Sequence, residues 1–144
     1  MAATAPEVVV RGSTAGFTQE ITVGAHRIFS DEPKDLGGGD TGPSPYELLA
    51  AALGACTSVT LAMYARRKQW PLASVNIRLR HSRIHANDCA DCDSKEEMLD
   101  RIDRDIELIG NLSAEQRARL LEIADKCPVH RTLTHGMRIF TRLI

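Results

Sequence analysis

The segment that most constrains this chain runs from Ser44 to Lys68, where an explicit helix start leads into residues that are apolar over most of the helix circumference. Ser44-Pro45-Tyr46-Glu47 supplies a capping side chain, a proline suited to the first turn, and a carboxylate three residues after the cap that can return the hydrogen bond. Helical spacing sets Leu48, Ala52, Cys56, Val59 and Met63 on one stripe, with Leu49, Leu53, Thr60 and Tyr64 as its flank. A helix so apolar must be enclosed on several sides. With 144 residues available, a second copy of the chain is a natural source of that cover.

The remaining pattern is mixed. Glu7 to Arg11, Phe17 to Val23 and His26 to Ser30 carry β-branched and aromatic residues between Gly12, Gly16 and Gly24, which predicts a small antiparallel meander. Asp31 and Glu32 read as loop or capping groups, and Gly37 to Pro43 as a loop that neither helix nor strand could contain. Beyond Trp70-Pro71, a packing anchor, the run from Val75 to Arg80 alternates apolar and polar as a strand that can extend to Ile84. His85 to Asp93 is polar and irregular. Glu96 to Ile109 reads as an amphipathic helix with Met98, Ile102, Ile106 and Ile109 inward and Gly110 at its stop. Ser113-Ala114-Glu115-Gln116 is a second capping box, opening a helix through Ala124 that Cys127-Pro128 ends or kinks. A helical turn from Pro128 to Leu133 and a closing strand from Met137 to Leu143 complete an α/β (α+β) chain, read as one domain over residues 1–144.

A net charge of −1 with 43% hydrophobic residues argues against a nucleic-acid or polyanion partner. The N-terminus lacks the basic and apolar regions of a secretory signal. Leu48 to Ala65 is interrupted by Cys56, Thr57, Ser58 and Thr60 and is rich in alanine, which makes a poor membrane span. The expectation is a soluble, cytoplasmic protein. In such a reducing compartment the four cysteines act as nucleophiles, metal ligands or transient redox partners.

Peroxide reduction by a protein needs a thiolate to attack the O–O bond, a cation or helix end to stabilise it, and a second thiol to capture the sulfenic acid. Cys56 suits the first role, as a polarisable nucleophile among the small residues Ala52, Gly54 and Ala55; a buried structural cysteine fits the same pattern. Cys127 precedes Pro128 and so sits at a new helix N-terminus, where unpaired N–H groups favour a thiolate, although a packing role is equally compatible. His130 and Arg131 lie one turn on, as sources of charge or a proton or as solvated surface groups. His26, His81, His85 and His135 form no recognisable ligand set.

The segment Gly37 to Thr57 (GGGDTGPSPYELLAAALGACT) resembles the signature of the OsmC/Ohr family, and Ala124 to Arg131 (ADKCPVHR) resembles its second signature. Asp31-Glu32-Pro33, Met63-Tyr64-Ala65 and Lys68 to Leu72 are similar to the OsmC-like branch, so the resemblance spans residues 17–144. It implies an intertwined homodimer with N-terminal antiparallel strands, long central helices packed back to back, a C-terminal helix-strand unit, and each active site at the dimer interface. It also implies a thiol-dependent peroxidase for organic hydroperoxides, without a cofactor and reduced by a dithiol such as a lipoyl group. Cys56 and Cys127 match the reactive and resolving positions.

Two family features are placed differently here. Where the Ohr branch has an acidic residue ten positions before its reactive cysteine, this chain has Tyr46, and Glu47 stands nine before. At about 100° per residue, nine steps carry Glu47 to the opposite side of the helix, so closing the cap competes with catalysis as its role. The Ohr branch also holds its thiolate with an arginine of the N-terminal sheet, for which Arg27 is the first candidate and Arg11 the second. Cys89-Ala90-Asp91-Cys92 has the spacing of a zinc knuckle, and Cys127 with His130 could complete a tetrahedral set. An accessory disulfide between Cys89 and Cys92, exposed thiols in a loop, and a non-catalytic binding or redox-sensing module for a hydrophobic ligand are the other readings.

Overall fold

The structure, a computed structural model, describes residues 4–85 and 98–144. The chain divides into two compact units, Met1–Leu49 and Ala50–Ile144.

In the first unit, β1 (Val8–Arg11), β2 (Gln19–Val23) and β3 (His26–Ser30) form an antiparallel sheet in that order, with Val9 opposite Thr22 and Ile21 opposite Ile28. The meander expected from the sequence is present. Gly24 takes φ of +57° in the tight turn between β2 and β3, a conformation that costs glycine little. After β3 the glycine-rich segment folds back on itself around Asp31, which is 1% exposed. Its carboxylate accepts hydrogen bonds from the Thr18 hydroxyl (3.0 Å), the Thr41 hydroxyl (2.7 Å) and the backbone N–H groups of Glu32, Gly39 and Thr41 (2.8, 3.2 and 3.2 Å). The Thr41 hydroxyl, then the Glu32 and Thr41 amides and the Thr18 hydroxyl, hold Asp31 well below the ordinary carboxylate range despite its desolvation. The loop therefore has a defined shape, and Gly38 is required in it because a Cβ there would stand 1.8 Å from the Glu32 carbonyl oxygen.

The long helix α1 (Pro45–Lys68) begins as its sequence announces. Ser44 N–H donates to Glu47 Oε2 at 2.7 Å and Glu47 N–H donates to Ser44 Oγ at 3.4 Å, which closes the capping box. The side it buries is not the Leu48/Ala52/Cys56/Val59/Met63 stripe. Ala50, Leu53, Gly54, Thr57, Leu61 and Ala65 are buried instead, while Ala52, Val59 and Met63 are exposed. Because α1 is apolar all round, periodicity could not decide which face packs inward. The small residue Gly54 helps to settle it, since Leu79 Cδ1 comes within 2.7 Å of where a Cβ would stand.

The second unit is built on a two-stranded antiparallel ladder of β4 (Leu72–His85) and β5 (Met98–Gly110). The strand expected from Val75 onward is β4. The helix expected over Glu96–Ile109 is instead β5 from Met98 on. Met98, Ile102, Ile106 and Ile109 do have helical spacing, but Ile102, Arg104, Ile106 and Leu108 alternate with more exposed residues from Asp105 onward, and Ile77 pairs with Ile106 across the ladder. A long alternating strand needs a partner, and β5 is the segment that satisfies its backbone.

Helix α2 (Ala114–Ala124) opens on the expected box, with Ser113 Oγ accepting from Gln116 N–H and Gln116 Oε1 accepting from Ser113 N–H. Leu61 and Ala65 of α1 form the core with Leu120, Ile123 and Ala124, flanked by Tyr64, Trp70, Leu72, Val75, Ile106, Leu108 and Leu112. Leu61 and Leu120 are fully buried, each contributing about 1.5–3 kcal/mol of apolar stabilisation. Leu121, next to Leu120 in sequence, is exposed at 62%. Helix α3 (Pro128–His135) follows, two residues longer than the expected turn to Leu133. The closing strand from Met137 to Leu143 is not formed. These residues carry no regular structure, and Ile139, Phe140, Leu143 and Ile144 are at least 82% exposed, with no strand among the described residues pairing with them.

Candidate functional site: two cysteines and a partly buried arginine

The site lies in the second unit, where α1, β5 and the junction between α2 and α3 converge. Cys127 is the N-cap of α3, with Pro128 in the first helical position, and its sulfur accepts the His130 backbone N–H at 3.3 Å. Such a helix start offers a partial positive charge to a thiolate. Cys127 is fully buried, and its Sγ is 3.7 Å from Thr57 Oγ1. Thr57 follows Cys56 directly in α1, so the fold brings residues separated by 70 positions together at this point. Cys56 is half-buried, and both cysteines are free thiols.

Thr57 is also fully buried and donates its hydroxyl hydrogen to the Leu53 carbonyl oxygen at 2.7 Å. Its oxygen accepts Arg104 Nη1–H at 3.0 Å. Arg104 projects from the inward row of β5, and its side chain is 12% exposed. Its guanidinium also donates to Asp125 Oδ1 at 2.8 Å and to the Ala124 carbonyl oxygen at 3.4 Å, at the C-terminal end of α2 where a cation is favoured. His130 Nδ1 stands 3.9 Å from the same Asp125 oxygen, so Cys127, His130, Asp125, Arg104 and Thr57 form a closed polar ring.

Beside it, Thr60, Met63, Tyr64, Arg67, Ile123 and Pro128 line an open, mainly apolar pocket of about 460 Å³. Thr60 is one helical turn beyond Cys56, and Pro128 adjoins Cys127. At its edge Arg119 Nε–H donates to the Tyr64 hydroxyl at 3.1 Å. That hydrogen bond, with the charges of Arg119, Lys68 and Arg67, holds the phenol below its ordinary titration range.

Of the residues singled out in the sequence, Cys56, Cys127 and His130 belong to this unit. Arg27, Arg11 and Glu47 lie in the first. Arg27 is paired with Glu20 at 2.9 Å and stacks over Phe29, while Arg11 reaches the Thr22 hydroxyl at 3.5 Å. Glu47 is engaged in the cap of α1. Cys89 and Cys92, half of the four-ligand zinc set, lie outside the described residues; among the described residues no cluster of three or more metal-ligating side chains occurs. Sequence reasoning missed Arg104 and Thr57. The available signal was a single cation in an otherwise apolar inward row, visible only once the segment is recognised as a strand.

The family model described as OsmC-like protein matches residues 37–142. No curated protein matches the chain. Among solved structures, an OsmC-like protein from Mycoplasma pneumoniae superposes with a TM-score of 0.71 at 18% identity, covering 92% of this chain and 89% of that one. An organic hydroperoxide resistance protein OsmC from Legionella pneumophila gives 0.67 at 19% identity, covering 92% and 91%. An organic hydroperoxide resistance protein from Elizabethkingia anophelis gives 0.65 at 17% identity, covering 93% and 91%.

Proposed function

This chain belongs to the family of OsmC-like proteins, and on that premise we propose that it is a soluble, cytoplasmic thiol peroxidase that reduces organic hydroperoxides through Cys56 and Cys127. The observation that carries the reading is the approach of the Cys127 sulfur to Thr57, the residue next to Cys56. Two solved relatives are named as organic hydroperoxide resistance proteins, which supports the same class of substrate.

In the first step the Cys56 thiolate attacks the distal oxygen of the hydroperoxide. The O–O bond breaks, the alkoxide leaves with a proton as the alcohol, and Cys56 becomes a sulfenic acid. The apolar pocket beside Thr60 and Met63 suits the organic part of such a substrate. In the second step the Cys127 sulfur bonds to the Cys56 sulfur, the S–O bond breaks, and hydroxide departs with the Cys127 proton as water. His130, whose backbone N–H donates to the Cys127 sulfur and whose Nδ1 is 3.9 Å from Asp125 Oδ1, is proposed to handle that proton. A dithiol reductant then returns both cysteines to thiols and is itself oxidised to a disulfide. An arginine of the N-terminal sheet, Arg27 first, is kept as the proposed source of the cation for the Cys56 thiolate.

The active assembly is assigned to an intertwined homodimer. Ala51, Ala52, Ala55, Val59, Ala62 and Met63 leave one side of α1 apolar and exposed, and the closing segment leaves Met137, Ile139, Phe140, Leu143 and Ile144 exposed. A second copy would cover both. This also accounts for an α1 long and apolar enough to cross a membrane, whose buried side packs against Leu120 and Ile123.

The test is a thiol count with a stoichiometric alkyl hydroperoxide, together with metal analysis of the purified protein. Loss of two thiols per hydroperoxide, abolished by Cys56→Ser, supports the peroxidase. Stoichiometric zinc with unreactive thiols would instead favour the structural site, and intact thiols without metal a binding module.

A further inference from the structure

Arg104 lies where neither cysteine motif reaches, yet its guanidinium contacts the chain on both sides of the proposed redox centre. On one side it donates to Thr57, immediately after Cys56; on the other it donates to Ala124 and Asp125, just before Cys127. The Thr57 hydroxyl and the Cys127 sulfur are themselves fully buried. A planar, permanently charged fork can hold several acceptors at once in fixed directions, which an ammonium cannot reproduce. Its contacts therefore tie α1 to the α2–α3 junction at the point where two sulfurs must meet.

Resting on the peroxidase reading, we infer that Arg104 is a positioning residue for the resolving step, clamping the segment that carries Cys127 against the segment that carries Cys56. It touches neither hydroperoxide nor the oxidised sulfur. Its effect is to keep the second thiol at high effective concentration, where small misplacements cost large factors in rate. In the cycle it acts on the condensation of Cys56 sulfenic acid with the Cys127 thiol, which forms the S–S bond and releases water. It has no part in the attack on the O–O bond.

The clamp can be read without any peroxide. In the full chain carrying Cys89→Ser and Cys92→Ser, dithiodipyridine reacts with Cys56 to release one thiopyridone and leave a mixed disulfide. Cys127 then attacks the Cys56 sulfur, closes the Cys56–Cys127 bond and releases the second thiopyridone. Arg104→Gln is expected to leave the first release unchanged and to slow the second about tenfold or more. Arg104→Lys should recover part of the loss. Thr57→Val should slow closure while the Arg104–Asp125 pair remains, and Thr57→Ser should restore it. Arg101→Gln, which removes an arginine paired within β5 to Asp103, should change neither release.

Closure at the parent rate in Arg104→Gln with an unchanged circular dichroism spectrum would overturn the clamp. So would equal closure in Thr57→Val and Thr57→Ser. Slowed closure in a protein whose thiols resist every alkyl hydroperoxide would instead uphold the clamp and remove the peroxidase reading.

Discussion

Each unit of the molecule contains a buried polar node, and the two are built on opposite plans. In the first unit Asp31 collects donors from Thr18, Glu32, Gly39 and Thr41, all no more than 13 residues away. In the second, Arg104 and Thr57 meet across 47 positions and Thr57 and Cys127 across 70. The first node surrounds a hard carboxylate with five hydrogen bonds of 2.7–3.2 Å. The second surrounds a soft sulfur with longer contacts that can be exchanged for a covalent bond. Burial alone therefore does not mark a reactive group; what matters is how firmly its neighbours hold it.

The largest effect expected from breaking this comparison is at the cysteines. Cys56→Ser should reduce hydroperoxide consumption to background, a loss on the order of a thousandfold or more, with the thermal unfolding midpoint little changed. Cys127→Ser should retain one turnover and leave a sulfenic acid that dimedone traps. Rapid multiple turnover by either variant with a dithiol would remove the division of labour between the sulfurs.

A smaller effect is expected in the loop around Asp31. Gly38→Ala would press a Cβ onto the Glu32 carbonyl and should cost about 1–3 kcal/mol in urea unfolding. Gly16→Ala has nothing within 4 Å and should stay within about 0.5 kcal/mol of the parent. Equal midpoints for the two would show that the loop does not hold the shape described.

Asp31 itself gives a pH signature. Its folded carboxyl binds a proton less readily than an unfolded one, whose ordinary value is 3.8, so its contribution is present above that value and is lost as pH falls towards the lower folded value. Between about pH 5 and pH 3, the parent should lose more stability than Asp31→Asn, as read from urea midpoints. Parallel curves would mean that the carboxylate is not held as described. The smallest effect is at Tyr64, where Arg119→Leu should raise the pH at which the phenol ionises. Tyrosinate absorbance in a Tyr46→Phe background reads this, and an unmoved titration would deny the Arg119 contact its influence.

Local chemistry was legible in the sequence, and long-range chemistry was not. Both capping boxes could be read from four residues each, because donor and acceptor belong to one turn. Cys127 could be placed at a helix start because Pro128 follows it. The inward face of α1 could not be read, since alanine and leucine surround the whole helix and tertiary packing selects among them. Arg104 interrupts the apolar row of β5 between Ile102 and Ile106, leaving the four-residue spacing of the isoleucines as the stronger local pattern. Its hydrogen-bond partners belong to α1 and to the end of α2, so they become visible only once the segment is folded as β5.

The central claim is that Cys56 and Cys127 exchange their thiols for one bond when the protein meets a hydroperoxide. Peptide mapping by mass spectrometry after a stoichiometric pulse of alkyl hydroperoxide tests it directly. A single new linkage is expected, joining the peptide that contains Cys56 to the peptide that contains Cys127 within one chain. Recovery of both peptides in their reduced form, or of Cys56 joined to any other cysteine, would contradict it.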